Sequence, residues 1–295
     1  MNIIVIGKNG QLAQALKRLN PKVICLGRND IDVIDENNLT AVLDTFNIKG
    51  IINAAAYTAV DKAESEPEQA FSLNKTAVAN LASYAASRRL HLVHVSTDYV
   101  FSGDKNSPYL VNDPHEPKGT YGASKAAGEN VIRQRIPEKS CIIRTSWVYS
   151  ATGNNFVKTM LKLMVEKTEL AVVADQTGSP TSAMALANAC LLASEQQITG
   201  VHHFTDEGSC TWYDFALAIQ DFGYQYGLLR SKIPVKPIPT SAYPTPAKRP
   251  KYSVLDISTL NRAFTGLTRN HWQVELEHVI QQLAQQREIG VTTND

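Results

Sequence analysis

The sequence has no surplus of charge. Its 29 Lys and Arg face 28 Asp and Glu, a net charge of +1 over 295 residues. A chain so close to neutral has no overall field for nucleic acid or an anionic membrane surface, which leaves only a local basic pocket for one small anion. Cysteine is scarce as well. Cys25, Cys141, Cys190 and Cys210 form no C-x-x-C pair and sit among apolar or small residues. This spacing favours neither a metal ribbon nor a disulfide framework, and free thiols in a reducing compartment, the cytoplasm, are expected. No apolar run reaches the ~18 residues that span a bilayer, and Ile3–Ile6 is too short for a secretory signal core. The histidines (His91, His94, His115, His202, His203, His271 and His278) include no H-E-x-x-H or H-x-H spacing, and there is no G-x-S-x-G elbow.

What is present is ordinary globular composition, 43% hydrophobic and 19% charged. The length suits one large domain or two unequal ones. Short apolar runs alternate with amphipathic stretches. Ile3–Ile6, Val23–Leu26, Ile51-Ile52, His91–Ser96 and Cys141–Arg144 read as buried strands. Gln11–Leu19, Leu39–Phe46, Glu68–Arg88 and Ser124–Arg135 read as helices. Continuous apolar strands separated by helices predict an α/β fold, a doubly wound parallel sheet covered on both faces. Beyond Ser150 the rhythm changes. Phe156–Lys167, Ser182–Ser194 and Trp272–Arg287 read as helices, and a polar tail follows. Gly178–Thr181 reads as a turn. The stretch from Ile233 to Pro250, with Pro237, Pro239, Pro244, Pro246 and Pro250 after Pro234, reads as an extended functional loop. The expected division is a dinucleotide-binding domain over 1–150, open to recruiting later segments, and a smaller α/β substrate-binding domain mainly over 151–295.

Three segments carry chemistry. The first strand runs into Gly7-Lys8-Asn9-Gly10-Gln11-Leu12-Ala13, a G-x-x-G-x-x-A turn opening a helix. Glycines there let the backbone approach a pyrophosphate, which the helix N-terminus attracts. The second strand ends at Arg28, which suits the 2′-phosphate of NADPH over NADH, although Asp30 and Asp32 lie close by. The Asp30-Ile31-Asp32 triplet also fits a D-x-D metal motif, but it is short and common. Tyr121 and Lys125 form Y-x-x-x-K at a helix start. A nearby ammonium is expected to lower the phenol from its ordinary value near ~10 and make it a usable acid/base. Upstream, Ser96 and Thr97 end a parallel strand, where a hydroxyl can grip a substrate carbonyl.

Together these features resemble the extended short-chain dehydrogenases/reductases. Closer still, Asn53–Glu64 resembles the N-A-A-A-x-T-A-V-D-x-A-E segment of the dTDP-4-dehydrorhamnose reductases. Ser96–Phe101, Arg144–Tyr149, Gly153–Phe156, Asp175–Thr181 and Tyr243–Pro250 match the same family, in order.

The resemblance implies a Rossmann-like fold and a reductase using NADPH or NADH. It would reduce the C4 ketone of dTDP-4-dehydro-6-deoxy-L-mannose to dTDP-L-rhamnose, the last step of dTDP-rhamnose biosynthesis, for polysaccharide. On these positions it implies that Gly7, Gly10, Gln11 and Leu12 line the pyrophosphate, that Asp32 and Val33 meet the adenine, and that Ala54, Ala55, Ala56 and Tyr57 run along the cofactor. Tyr121 would be the acid, Lys125 would hold the nicotinamide ribose, and Thr97 would stabilise the carbonyl oxygen. Asp98, Trp147 and Asn155 would contact the sugar nucleotide, and Lys248 and Arg249 would neutralise its diphosphate. Some members carry glutamates proposed to hold magnesium between subunits. Ala15 and Met184 stand at those positions and cannot ligate it. No metal site is expected, and the chain is expected to be a monomer or a homodimer without a metal bridge. Two alternatives stay open: a reductase of another nucleotide-linked 4-keto sugar, and a non-catalytic dinucleotide-binding subunit like the regulatory subunit of methionine adenosyltransferase.

Overall fold

The computed structural model describes residues 2–292. Six strands, β1 (Asn2–Ile6), β2 (Ile24–Leu26), β3 (Ile48–Asn53), β4 (His91–Thr97), β5 (Ser140–Thr145) and β6 (Gly200–His203), form one sheet in the order β6-β5-β4-β3-β1-β2. Every pairing is parallel. The strand order reverses between β1 and β3, so a crevice opens at their carboxyl ends, where sheets of this kind bind ligands.

Both faces of the sheet are covered, which is why the centres of β1, β3, β4 and β5 are largely apolar. Helices α1 (Gln11–Leu19), α2 (Glu36–Leu43), α3 (Ala77–Ser87) and α4 (Thr120–Arg135) belong to the first half. α1 packs with a later helix, α6 (Ala183–Gln196), on one face, together with Leu260 and Phe264. The other face takes Leu39 and Leu43 of α2, Val78 and Leu81 of α3, and Ile132 of α4. β6 and α6 both lie beyond residue 150 and complete this layer. The remainder packs α5 (Phe156–Glu166), α7 (Trp212–Gln225) and α8 (Trp272–Thr292) around Phe215, Leu276 and Ile280.

Several elements differ from the sequence reading, each for a local reason. The Asp35 side chain caps the amides of Asn37 and Asn38, so α2 starts at Glu36, and it runs to Leu43. The helix expected over Glu68–Arg88 is interrupted by a π-helical turn at Ser72–Thr76, where the buried Asn74 is held by distant partners. α4 begins at Thr120, so Tyr121 lies in its first turn. Within the proline-rich stretch, Val235–Ile238 is a strand pairing in parallel with Leu170–Val173. α8 runs on to Thr292, and the rest of the expected polar tail lies outside the described residues.

Candidate active site

The crevice is built by β1 and β3 together. Gly7 has φ +115°, and a Cβ on it would stand 2.9 Å from the Ala55 amide nitrogen and 3.0 Å from the Ala54 carbonyl carbon. Only glycine permits that backbone and that approach. Gly10 is the N-cap of α1 and makes no side-chain cap bond, and the first turn holds no acidic residue. The helix therefore presents its free amides and positive end toward the crevice. A cavity of 710 Å³ lies there, lined by Gly7, Gly10, Arg28, Val33 and Ala54–Ala56 among others. The narrow glycine cradle, the uncapped helix end and this volume fit the diphosphate and adenosine of a dinucleotide.

Not every residue expected along the cofactor turns its side chain to the cavity. Leu12 is buried in the core against α6. The Gln11 carboxamide accepts from Ser150 Oγ at 2.9 Å and from Asn155 Nδ2 at 2.9 Å, tying α1 to the loop after β5. Asp32 is exposed and accepts from the Ile34 amide at 2.9 Å. The Tyr57 hydroxyl donates to Glu66 at 2.5 Å, and that bond pushes the phenol up to about 12.

At the carboxyl end of β4, Thr97, Asp98, Tyr99 and Tyr121 come together. Thr97 Oγ1 donates to Asp98 Oδ1 at 2.9 Å and accepts from the Tyr99 amide at 3.2 Å. The Thr97 hydroxyl has one proton, so it reaches a substrate carbonyl only by leaving Asp98. Burial raises the Asp98 carboxyl to about 6, against the opposing hydrogen bond from Thr97. Tyr121 packs edge-on to Tyr99, with ring centroids 5.5 Å apart.

The electrostatics of Tyr121 correct the sequence expectation. Burial dominates and lifts its phenol above the ordinary tyrosine value. The Thr97 hydroxyl pulls it down, and Asp98 and Tyr99 push it further up. Lys125 does not supply the expected acidification. Its ammonium donates to the Val95 carbonyl at 2.7 Å and sits 3.3 Å from His94 Nε2. Burial lowers Lys125 to about 8, while Glu129 works the other way. His94 is held well below its usual range by burial and by Lys125, and Asn53 Nδ2 lies 3.1 Å from its Nδ1.

An aromatic cluster follows β5. Trp147 has φ +48°, a backbone conformation that bulky residues rarely adopt, which marks a strained position. Its ring stacks on Trp212 at 3.5 Å and 12°. Asn155 caps α5 through the Lys158 amide and spends its amide group on Gln11 and on the Ser150 carbonyl. Lys248 is exposed. Arg249 is already engaged, pairing with Asp61 at 2.6 Å and donating to the Tyr99 hydroxyl at 3.2 Å.

Sequence reasoning passed over several supporting residues. Asn74 accepts from the Tyr57 amide at 2.9 Å and donates to the Tyr57 carbonyl at 3.1 Å and to Ser124 Oγ at 3.0 Å, joining the loop after β3 to α4. Its only signal was an asparagine inside a helical pattern. Glu129 and Arg144 form a fully buried ion pair at 2.7 Å beside His115 and His203. An arginine in an apolar strand was the available clue.

A family model described as the RmlD substrate binding domain matches residues 1–285. A dTDP-4-dehydrorhamnose reductase of Aggregatibacter actinomycetemcomitans is 40% identical over 288 residues, which is 94% of this chain and 97% of that protein. A crystal structure of a dTDP-4-dehydrorhamnose reductase from Clostridium acetobutylicum superposes with a TM-score of 0.89 at 38% identity, covering 96% of this chain and 99% of that one. Another, from Bacillus anthracis in complex with NADP, gives 0.87 at 35% identity, covering 94% and 98%.

Proposed function

The chain belongs to the dTDP-4-dehydrorhamnose reductase family, and from that premise we propose that it reduces the C4 ketone of dTDP-4-dehydro-6-deoxy-L-mannose to give dTDP-L-rhamnose, with NADPH as reductant. The observation that carries this reading is the meeting of Thr97 and Tyr121 at the end of β4, in the same sheet as the glycine-lined crevice. NADPH, when bound, supplies the hydride. Gly7, Gly10 and the amides at the start of α1 hold its diphosphate, with Ala54–Ala56 as the close wall. Val33 and Arg28 line the adenosine end, and Tyr57 borders the run of alanines.

Tyr121 delivers a proton to O4. Reduction needs an acid that starts protonated, and burial keeps the phenolic proton in place at neutral pH. The oxygen of a ketone receiving hydride becomes basic enough to take it. Lys125, held on the Val95 carbonyl, offers a donor for the nicotinamide ribose. Thr97 orients the ketone once its hydroxyl turns from Asp98. Trp147, backed by Trp212, offers a flat apolar face to the deoxysugar, and Asp98 takes a sugar hydroxyl. Asn155 acts through the loop it ties to Gln11. Lys248 reaches the nucleotide diphosphate from the exposed loop, and Arg249 holds that loop on Asp61.

Ala15 and Met184 both belong to the apolar packing between α1 and α6. This supports a monomer, or a homodimer built without a metal bridge there. The four free thiols support a cytoplasmic setting.

The test is purified protein mixed with the dTDP-linked 4-keto sugar and NADPH, followed at the absorbance band of reduced nicotinamide. Stoichiometric loss is expected for wild type. Tyr121→Phe should show none and keep near-normal NADPH affinity. Absence of turnover with this sugar, but turnover with a different nucleotide-linked 4-keto sugar, would move the assignment to that substrate. Near-normal turnover by Tyr121→Phe would remove the tyrosine from its role.

A further inference from the structure

Between β3, β4 and α4 three polar side chains meet, Asn53, His94 and Lys125, each at most 2% exposed. Asn53 and His94 are register partners on neighbouring parallel strands, so both side chains leave the same face of the sheet, the one that α4 covers. The proton positions follow from the donors. The Ala55 amide can only donate, and it meets Asn53 Oδ1 at 3.2 Å. The other arm of that carboxamide is then the NH2 group, which lies 3.1 Å from His94 Nδ1. Burial and Lys125 hold His94 well below its usual range, so the ring is neutral and carries one proton. Nδ1 accepts from Asn53, and that proton therefore sits on Nε2, which lies 3.3 Å from Lys125 Nζ. The ring points an N–H at a side chain whose charged form has only N–H groups to offer. The neutral amine has a lone pair to accept it and can still donate to the Val95 carbonyl at 2.7 Å. Glu129, one turn further along α4, favours the ammonium, and is itself paired with Arg144 of β5 and with His115. Tyr121 stands one turn earlier on the same helix.

We propose that His94 is a positioning residue that acts on the reaction through Lys125: with its tautomer fixed by Asn53, it opposes the ammonium, favours the amine and so sets the upper pH limit of activity. The identity of the reaction rests on the reductase reading, and the proton arrangement does not. The tautomer is set from the wall of the dinucleotide crevice, because the Ala55 amide that orients Asn53 belongs to the backbone packed against Gly7. Removing the ring N–H relieves the ammonium of an opposing donor and deprives the amine of a hydrogen bond. Both effects raise the proton affinity of Lys125. The reverse arrangement, with Nε2 accepting from the ammonium, would give the opposite sign.

The test reads the protons by NMR in the intact protein, without sugar. With ¹⁵N-labelled histidine, the His94 ring of the wild type, assigned by its loss in His94→Phe, is expected to show a protonated Nε2 and an unprotonated Nδ1. With lysine labelled at ¹³Cε, Lys125, assigned by its loss in Lys125→Met, is expected to titrate near pH 8. His94→Phe keeps a planar ring of similar shape and removes both nitrogens. It should raise the Lys125 midpoint by about one pH unit, a gain of about tenfold in proton affinity, which is the scale of one hydrogen bond. The fall of kcat/KM at high pH should move up with it, a shift that a merely structural role for the ring would not produce. A Lys125 midpoint that stays or drops in His94→Phe overturns the proposal. So does a wild-type ring protonated on Nδ1, a result that decides the matter even if the variant does not fold. If the tautomer and midpoints are as stated while no 4-keto sugar is reduced, only the reductase reading fails. If the sugar is reduced but the midpoint does not rise, only this proposal fails.

Discussion

Gly122→Ala should disable the enzyme with a modest loss of stability, because the residue next to the proposed acid has no room for a side chain. A Cβ there would stand 2.1 Å from the Tyr99 carbonyl oxygen, 2.9 Å from its carbonyl carbon and 3.0 Å from Pro117 Cβ. The neighbours are backbone and a ring, so no flexible side chain can yield. Real Cβ atoms essentially never approach closer than 3.0 Å, so α4 and the Asp98–Val100 turn must part by about 0.9 Å. Overpacking of this kind costs about 1–3 kcal/mol. For a chain of this size that is a loss of roughly 2–10 °C in Tm. The functional cost should be larger. The same movement separates Tyr121 from Thr97 and Tyr99, and a displacement near 1 Å in a catalytic group costs on the order of 100-fold in rate. The assay pairs thermal unfolding with kcat for NADPH-dependent reduction at a temperature where both proteins are folded. Leu276→Ala, at a fully buried position in the packing of α5, α7 and α8, is the control. It should lose about 2–5 kcal/mol with kcat nearly unchanged. A Gly122→Ala protein with wild-type kcat would refute the proposed positioning of Tyr121 by α4.

Other outcomes follow from the same geometry. Folded Lys125 gives up its proton near pH 8 instead of 10.5, so kcat/KM should fall as pH rises through about 8. The unfolded chain holds that proton more tightly, so the contribution of this group to stability should rise between about pH 8 and 10.5, opposite in sign to the activity. Paired pH profiles of kcat/KM and of unfolding midpoint check both directions. Glu129→Gln leaves Arg144 buried without its carboxylate and should cost about 3–5 kcal/mol by denaturant unfolding. Replacing both residues by methionine should cost less than the sum of the single changes. Gly178→Ala would place a Cβ 2.7 Å from the Trp147 ring, which is backed by Trp212. It should raise KM for the sugar nucleotide by about tenfold while NADPH affinity, measured by fluorescence titration, stays within about twofold.

Much of the framework was legible because its causes are local. Apolar runs bounded by glycine marked β1, and the spacing of Leu12, Leu16 and Leu19 marked α1 with its observed ends. The G-x-x-G turn was visible because φ +115° at Gly7 is a demand that sequence expresses directly. Y-x-x-x-K was equally plain. The edge strand Gly200–His203 was missed, since four residues with two histidines carry no strand signature. The π turn at Asn74 was missed because its cause lies 17 and 50 residues away, at Tyr57 and Ser124.

The sequence by itself determined the parallel sheet, the glycine cradle and the presence of a phenol, an amine and a hydroxyl at strand and helix ends, because periodicity and backbone freedom are properties of neighbouring residues. Only the tertiary structure decided what those groups experience. It set Lys125 on Val95 and His94, buried Tyr121 so that its phenol is pushed up, gave the Thr97 proton to Asp98, and joined Arg249 to Asp61 across 188 positions of sequence. The charge state of a buried group depends on desolvation and on partners brought close by folding, and neither is encoded in spacing along the chain.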